Sequence, residues 1–173
     1  MQTHIHIFTI LTLFITAACA APQVHEQKIE LQPLEEYKAI EIITRTLASR
    51  GYKKAPETTI QLSNNTQFIC DFTVAGESIA LEYVTDKDTQ VKGVIPDAAA
   101  GSRLQVIPAT TIATDANAAA SPSIYLMVIK DKDYMYHARP TPEMRAPVTF
   151  HEVENRLRRD ITDFLSWYEN KPQ

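Results

Sequence analysis

The sequence predicts an α/β or α+β fold, in which a mixed sheet of about five strands is flanked by an N-terminal and a C-terminal helix. Three patterns support this class. Residues 67–85 form two alternating runs joined at Gly76, which is typical of a hairpin central to the sheet. Residues 124–129 are continuously apolar, as in a strand buried on both faces. The stretches 33–50 and 150–169 carry apolar residues at helical spacing.

Residues 1–19 have the pattern of a signal peptide. His4 and His6 precede an apolar run from Ile7 to Ile15, although the start of the chain contains no Lys or Arg. The run is too short to span a bilayer as a mature helix, so we expect it to direct export and then to be removed.

The end of this segment, Thr16-Ala17-Ala18-Cys19, resembles the lipobox of bacterial lipoproteins. It departs from the family at Thr16, where Leu is usual. The resemblance implies that Cys19 becomes the acylated N-terminus. Because Ala20 rather than Asp follows the Cys, it also implies a periplasm-facing outer-membrane lipoprotein in a cell with two membranes. The alternative is ordinary cleavage after Ala20, which predicts a soluble secreted protein.

Composition limits what the mature chain contains. The chain has two cysteines, and once Cys19 is acylated or removed, Cys70 has no disulfide partner. Residues 20–32 are polar and without a period, so we expect a tether followed by a single globular domain at 33–173. The formal net charge of −4 disfavours a nucleic-acid partner.

The first helix is predicted over 33–50, with Pro33 in its first turn and Gly51 after its end. Its apolar stripe comprises Leu34, Tyr37, Ile40, Ile43 and Leu47. A short strand is expected at 58–62, before a turn that leads into the hairpin.

The register of the hairpin follows from its turn. A two-residue turn at Gly76-Glu77 and a four-residue loop over 75–78 both place Val74 opposite Ile79. The same register pairs Phe72 with Leu81, Asp71 with Glu82, and Cys70 with Tyr83. Alternation then predicts one core face that is made of Phe68, Cys70, Phe72, Val74, Ile79, Leu81 and Tyr83.

The segment 86–122 gives weaker signals. Residues 86–88 are expected to form a polar turn, and 104–107 a strand that ends at Pro108. The Ala- and Thr-rich stretch 109–120 is consistent with a short helix or a loop. A helix is favoured, because the next strand is expected to be central and to need a crossover connection.

The last third of the chain is more regular. The buried strand 123–130 is followed by a turn at 131–133 and a partner strand at 134–138. Thr149 and Glu152 have the spacing of a capping box, which opens the last helix at Phe150.

Asp71 and Glu82 are the candidate site residues. In the predicted register their Cβ atoms lie about 5 Å apart, where like charges destabilise each other. A protonated carboxyl, a neighbouring Lys or Arg, or a bound divalent cation would relieve the repulsion. The candidate is therefore a metal site at Asp71 and Glu82, and its alternative is a solvated pair beside a basic residue.

The order helix, three strands, helix, strand resembles the core of the PD-(D/E)xK nucleases. The resemblance implies a restriction-endonuclease-like fold in which Asp71 and Glu82 bind Mg²⁺. The chain departs from the family motif at Val84, where the family has Lys, and at Cys70, where it has Pro. No catalytic residue is assigned for this reason.

We therefore expect an exported, membrane-tethered envelope lipoprotein that acts as a non-enzymatic interaction module, without a cofactor. Its partners would be the membrane, through the lipid on Cys19, and an envelope protein that the sequence does not identify. Two alternatives stay open. One is a divalent-metal site at Asp71 and Glu82 in a degenerate nuclease-like domain. The other is a small-ligand binder in which residues 109–122 close over a pocket.

Overall fold

A computed structural model describes residues 30–91, 104–112, 123–142 and 144–171 of the protein. The predicted signal peptide, Cys19 and tether residues 20–29 lie outside the described residues. The helices are α1 (Glu36–Ser49), α2 (Asp86–Val91) and α3 (Phe150–Glu169), with a 3₁₀ turn at Asp131–Asp133. The strands are β1 (Leu31–Pro33), β2 (Thr59–Leu62), β3 (Gln67–Ile69), β4 (Phe72–Thr73), β5 (Ile79–Val84), β6 (Gln105–Ile112), β7 (Ser123–Lys130) and β8 (Met135–His137).

The main sheet has six strands in the order β3-β2-β6-β7-β5-β4. The pair β5–β7 is parallel, and the other neighbouring strands are antiparallel. A second, two-stranded sheet joins β1 to β8. The predicted class, a mixed sheet flanked by an N-terminal and a C-terminal helix, is confirmed with one strand more than expected in the main sheet.

The predicted hairpin is divided between the two ends of this sheet. The chain bends at Cys70 and Asp71, so that β3 pairs with β2 while β4 pairs with β5. The N–H of Cys70 donates to the carbonyl of Thr58 at 3.1 Å, and the N–H of Ala55 donates to Thr73 at 2.7 Å. One bent strand thus connects both ends of the strand order, and the sheet curls. The expectation that the hairpin is central is wrong, because its halves take different partners.

The predicted register holds on the turn side of this bend. Phe72 pairs with Leu81, and the N–H of Val74 donates to Ile79 at 3.2 Å. The connection is the four-residue loop, in which Gly76 has a φ of +80°.

The face assignment changes on the other side of the bend. Phe68 and Cys70 lie inside the curl, whereas Phe72 and Tyr83 lie on its outer face. The prediction that Cys70 shares a face with Tyr83 is therefore wrong. An irregular residue in a strand shifts the alternation of the side chains that follow it.

The sheet buries both of its faces. α1 and α3 pack together on the outer face, and this outer core includes Ile43, Leu47, Phe72, Leu81, Tyr83, Met127, Ile129, Leu157, Ile161 and Phe164. The inner core, inside the curl, comprises Ile60, Leu62, Phe68, Cys70, Ala80, Val84, Ile107, Ala109, Ile124, Leu126 and Val128. The predicted two-sided burial of the strand at 123–130 is confirmed.

The segment after β5 differs from its prediction. The polar turn expected at 86–88 is the first turn of α2. β6 continues through Pro108 to Ile112, where a helix was expected from residue 109. Pro108 is tolerated because β2 pairs with β6 only from Ala109 onward, so no ladder bond to β2 is lost. Residues 113–120 of the expected helix lie outside the described residues. With a strand in this place, the nuclease-like order of elements is not confirmed.

The two ends of the domain lie side by side. β8 pairs with β1 and not with β7, so Leu31 and Gln32, expected in the tether, belong to a strand. α1 begins at Glu36, three residues later than predicted, because Pro33 is in β1. α3 has the predicted bounds and the predicted capping box at Thr149. Among the helices of the described ranges, none is both long and apolar enough for a membrane span.

Candidate functional site

The structure brings the two predicted site acids together at the bend. Asp71 occupies the bend between β3 and β4, and Glu82 lies in β5 with no solvent exposure. Because Ala80 and Val84 face the inner core, alternation places Glu82 there too. A carboxylate in such a place requires hydrogen-bond donors to offset its lost hydration.

Each carboxylate accepts a hydrogen bond from the backbone of the opposite strand. The N–H of Asp71 donates to Oε2 of Glu82 at 2.9 Å, and the N–H of Tyr83 donates to Oδ2 of Asp71 at 2.9 Å. The ladder between β4 and β5 ends at Phe72, so these bonds continue the pairing where the bend interrupts it. The sequence analysis did not consider that backbone N–H groups could stabilise two facing carboxylates.

Cys70 lies next to this pair and is inert. Its thiol donates to the carbonyl of Leu81 at 3.2 Å, and the residue is 3% exposed. Burial raises the pKa of the Cys70 thiol well above its usual range, and the neighbouring Glu82 raises it further. The thiol stays protonated at neutral pH, which is the state of a structural rather than a reactive cysteine.

Metal binding at the acid pair remains a hypothesis. Within the described ranges, no three His, Cys, Asp or Glu side chains are grouped so that they could hold a metal ion. Mg²⁺ and Ca²⁺ take six or more oxygen ligands, so Asp71 and Glu82 would need carbonyls and water to complete a site.

A second site, which the sequence analysis missed, is an open cleft at the end of α3. We call it the aromatic cleft. Its volume is about 440 Å³. It forms where the β4–β5 loop and the start of β7 meet the end of α3 and the chain after α1. Its lining consists of Tyr52, Glu77, Ser78, Tyr125, Tyr168, Glu169 and Lys171.

Phenol hydroxyls hold the two carboxylates of the aromatic cleft. The Tyr168 hydroxyl accepts from the N–H of Ser78 at 3.1 Å and donates to Glu77 at 3.2 Å. The Tyr52 hydroxyl donates to Glu169 at 2.9 Å. Burial, together with the hydrogen bond to Glu169, raises the pKa of Tyr52 to about 12, so this phenol remains a donor at neutral pH.

Aromatic rings form one wall of the cleft. Tyr125 meets Trp167 edge to face, with 5.4 Å between the ring centroids, and lies 6.4 Å from Tyr168. The Nζ atom of Lys171 lies 3.5 Å from the centroid of Tyr125. Trp167 is 41% exposed beside these rings. The cleft therefore combines aromatic faces, two carboxylates and an ammonium group.

Its members come from four separate segments, which is why sequence patterns did not reveal it. Tyr125 was interpreted only as part of the buried strand, and Tyr168 only as part of the apolar stripe of the last helix. The one local signal was the run Trp167-Tyr168-Glu169, in which two large aromatic residues precede an acid at a helix end.

A smaller cavity of about 190 Å³ lies between β7 and α3. The Tyr134 hydroxyl donates to Oδ2 of the buried Asp160 at 2.9 Å, which joins the start of β8 to α3. Oε1 of Gln105 is buried at this cavity and has no hydrogen-bond partner among the described residues. Its volume is below the range of about 300–1,000 Å³ that is usual for ligand pockets.

The comparisons with known proteins do not add to these geometric findings. The sites must therefore be interpreted from their own chemistry. The chain was compared with protein-family models, with curated proteins and with solved structures, and no match was found.

Proposed function

We propose that the chain is an exported, lipid-tethered, non-enzymatic interaction module whose recognition site is the aromatic cleft. One observation carries the proposal: the rings of Tyr52, Tyr125 and Tyr168 and the carboxylates of Glu77 and Glu169 converge on one open cavity. Aromatic side chains with convergent polar groups around a cavity occur in many binding sites.

The proposed location rests on the first residues of the chain. Thr16-Ala17-Ala18-Cys19 has the order of a lipobox, and the polar residues after Cys19 provide a tether. The lipid would place the domain at the envelope surface of the membrane, where we expect it to meet an envelope protein. Ordinary cleavage after Ala20 is the alternative, which would release the same domain.

The proposal that the module is not an enzyme rests on the contacts that Asp71 and Glu82 make. Asp71 and Glu82 both accept backbone N–H groups and so hold the bend of the curled sheet. Cys70, the neighbouring nucleophile, is buried and protonated. These contacts support a structural role for the groups that resembled a nuclease site.

A small-ligand binder is the second candidate, and the dimensions of the aromatic cleft favour it. Ligand pockets commonly enclose about 300–1,000 Å³. The cleft, with about 440 Å³, falls in this range. Residues 109–112, which were expected to belong to a segment closing over a pocket, lie in β6 and do not line the cleft, and residues 113–122 of that segment lie outside the described residues.

Lipidation is tested by growing cells with an alkyne-bearing fatty acid and comparing Cys19→Ala with Cys70→Ala. We expect the wild type and Cys70→Ala to carry the label in the membrane fraction, and Cys19→Ala to lose it. Equal labelling of all three chains, or none, would contradict the anchor.

Recognition is tested with fluorine NMR. The chain has one tryptophan, so 5-fluorotryptophan at Trp167 gives one resonance beside the cleft. Envelope extract is separated by ultrafiltration into low- and high-mass fractions. We expect a shift in the wild type that is absent in Tyr125→Leu and kept in Glu57→Gln. The high-mass fraction causes it if the partner is a protein, and the low-mass fraction if it is a small ligand. A resonance that neither fraction moves contradicts recognition at the cleft.

A further inference from the structure

We propose that the aromatic cleft binds a small alkylammonium compound, and that Lys171 of the chain itself occupies the cation position when this ligand is absent. The inference rests on the small-ligand form of the proposed function. It adds the chemical class of the ligand and a residue that competes with it.

The cation position is marked by Lys171. Its Nζ atom lies 3.5 Å from the centroid of Tyr125, well within the distance of about 6 Å at which an aromatic face attracts a cation. The backbone N–H of Lys171 donates to the carbonyl of Tyr168 at 3.2 Å, which fixes where its side chain starts. The chain therefore fills this position with an alkyl chain that ends in an ammonium group.

The end of α3 adds to the attraction for a cation. α3 has 20 residues and ends at Glu169, which lines the cleft. The last carbonyl groups of a helix carry a partial negative charge that favours cations. No basic residue occupies the last turn of α3, so this end of the helix has no positive charge of its own before Lys171.

Charge in the cleft is unbalanced. Among the lining residues, Glu77 and Glu169 contribute two carboxylates, against one ammonium from Lys171. The guanidinium of Arg50, which acts on Tyr52, donates to Ser166 outside the lining. Their hydrogen bonds come from the neutral hydroxyls of Tyr168 and Tyr52, and within the described ranges neither acid takes part in an ion pair. The remaining negative charge complements a cationic ligand and repels an anionic one.

The walls select an organic rather than an inorganic cation. Tyr52, Tyr125 and Tyr168 line the cleft with their rings, and Trp167, 41% exposed, packs edge to face against Tyr125 beside the lining. Aromatic faces bind alkyl chains and poorly hydrated ammonium groups, whereas hard metal cations prefer several oxygen ligands. Because the cleft volume of about 440 Å³ is that of a small-molecule site, we commit to a free amine and not to a lysine of another protein.

Lys171 must leave the ring of Tyr125 before a ligand cation can take its place. A site that is mostly filled by the chain's own side chain has a lowered apparent affinity. Lys171→Met keeps a long, unbranched side chain but removes the charge. This change removes the competing ammonium group without disturbing a buried residue.

The test uses the emission of Trp167, the only tryptophan of the chain, in the full-length protein held in detergent. The probes are 1,5-diaminopentane and tetramethylammonium, with 1,5-pentanediol as the uncharged control. We expect both cations to change the emission and to bind Lys171→Met about tenfold more tightly than the wild type, the scale of one desolvated cation–π contact. The double variant Glu77→Gln, Glu169→Gln should bind about tenfold more weakly. Glu57→Gln, which removes one exposed acid outside the cleft lining, should bind as the wild type does.

Three results overturn the inference even if the amines bind. They are equal binding of the diol and the diamine, no gain in Lys171→Met, and much tighter binding of a lysine-containing peptide than of the free diamine. If the amines fail while the envelope extract still shifts the fluorotryptophan signal, the ligand class is wrong and the proposed function stands. If both fail, recognition at the cleft is wrong as well. Melting curves of each variant establish that the domain is folded.

Discussion

Glu82 and Asp71 accept hydrogen bonds from each other's strand. The carboxylate of Glu82 takes the N–H of Asp71, and the carboxylate of Asp71 takes the N–H of Tyr83, both at 2.9 Å. These bonds lie at the bend where one strand leaves β2 and joins β5. The N–H groups of Asp71 and Tyr83 thus offset, at least in part, the repulsion expected between the two facing carboxylates.

Removal of the Glu82 carboxylate should therefore destabilise the whole domain. Glu82→Ala leaves the partly buried N–H of Asp71 without its acceptor and opens a cavity at a fully buried position, so we expect a loss of about 2–4 kcal/mol in the free energy of unfolding. Glu82→Gln keeps an acceptor oxygen and should lose less. Urea denaturation measures both, with Glu57→Gln on the exposed surface as the control. A loss below about 0.5 kcal/mol in Glu82→Ala would mean that the bend does not depend on this carboxylate.

The same pair makes a prediction about divalent cations. If Asp71 and Glu82 act only on the backbone, the melting temperature should be the same in chelator, Mg²⁺, Mn²⁺ and Ca²⁺. A ligand that binds only the folded state raises the melting temperature. A rise with one cation in the wild type, absent in Asp71→Asn, would instead establish the divalent-metal site and make nuclease assays the next step. Asp71→Asn is the better variant here, because it keeps an oxygen for the N–H of Tyr83.

Local signals predicted the elements that local interactions define. The bounds of α3 follow from its apolar period and from Thr149 and Glu152, which form both bonds of a capping box. The strand at 123–130 was recognisable because a run that is apolar on both faces has few other places in a domain. The pairing of Phe72 with Leu81 was fixed by the length of a short loop.

The features that the sequence did not predict depend on contacts between residues that are far apart in the chain. No Gly or Pro marks the bend at Cys70 and Asp71, and its cause is that β2 and β5 each take half of one strand. The strand β6 runs through Pro108, which local rules treat as an end. The aromatic cleft needs Tyr125 beside Tyr168, and only the packing of α3 on the sheet brings them together.

Cys70 should make stability fall at alkaline pH. Burial raises the folded pKa of the Cys70 thiol well above its ordinary value. The unfolded thiol loses its proton at lower pH than the folded one, so the unfolded state binds fewer protons as pH rises through about 9. The stabilising contribution is complete below the unfolded pKa and is lost above it, with a slope of at most about 1.4 kcal/mol per pH unit. Urea denaturation from pH 7 to 10 measures this slope in Cys19→Ser, where Cys70 is the only thiol.

The matched control for this slope is the double variant Cys19→Ser, Cys70→Ala. It should be less stable at pH 7 because a buried side chain is shortened, yet its stability should fall less steeply between pH 8 and 10. Other groups that titrate in this range, such as Lys side chains, are common to both chains and cancel in the comparison. Parallel curves for the two chains would show that the Cys70 thiol has a similar pKa in the folded and the unfolded protein.

Thr149 tests how much of the domain's stability depends on the start of α3. Its hydroxyl accepts the N–H of Glu152 at 3.2 Å, while the Glu152 carboxylate accepts the N–H of Thr149 at 2.7 Å. Thr149→Ala removes the first bond and should cost about 1 kcal/mol, and Thr149→Ser should cost much less because it keeps the cap. The hydrogen bond from the Thr149 N–H lowers the pKa of Glu152. The stability that this bond contributes is therefore complete above the ordinary pKa of a Glu and is lost as pH falls through the lowered pKa. The difference between Thr149→Ala and Thr149→Ser, measured by thermal melting at pH 7, isolates the hydroxyl. Two variants of equal stability would mean that α3 is held by its packing against α1 and the sheet, and that the cap contributes nothing measurable.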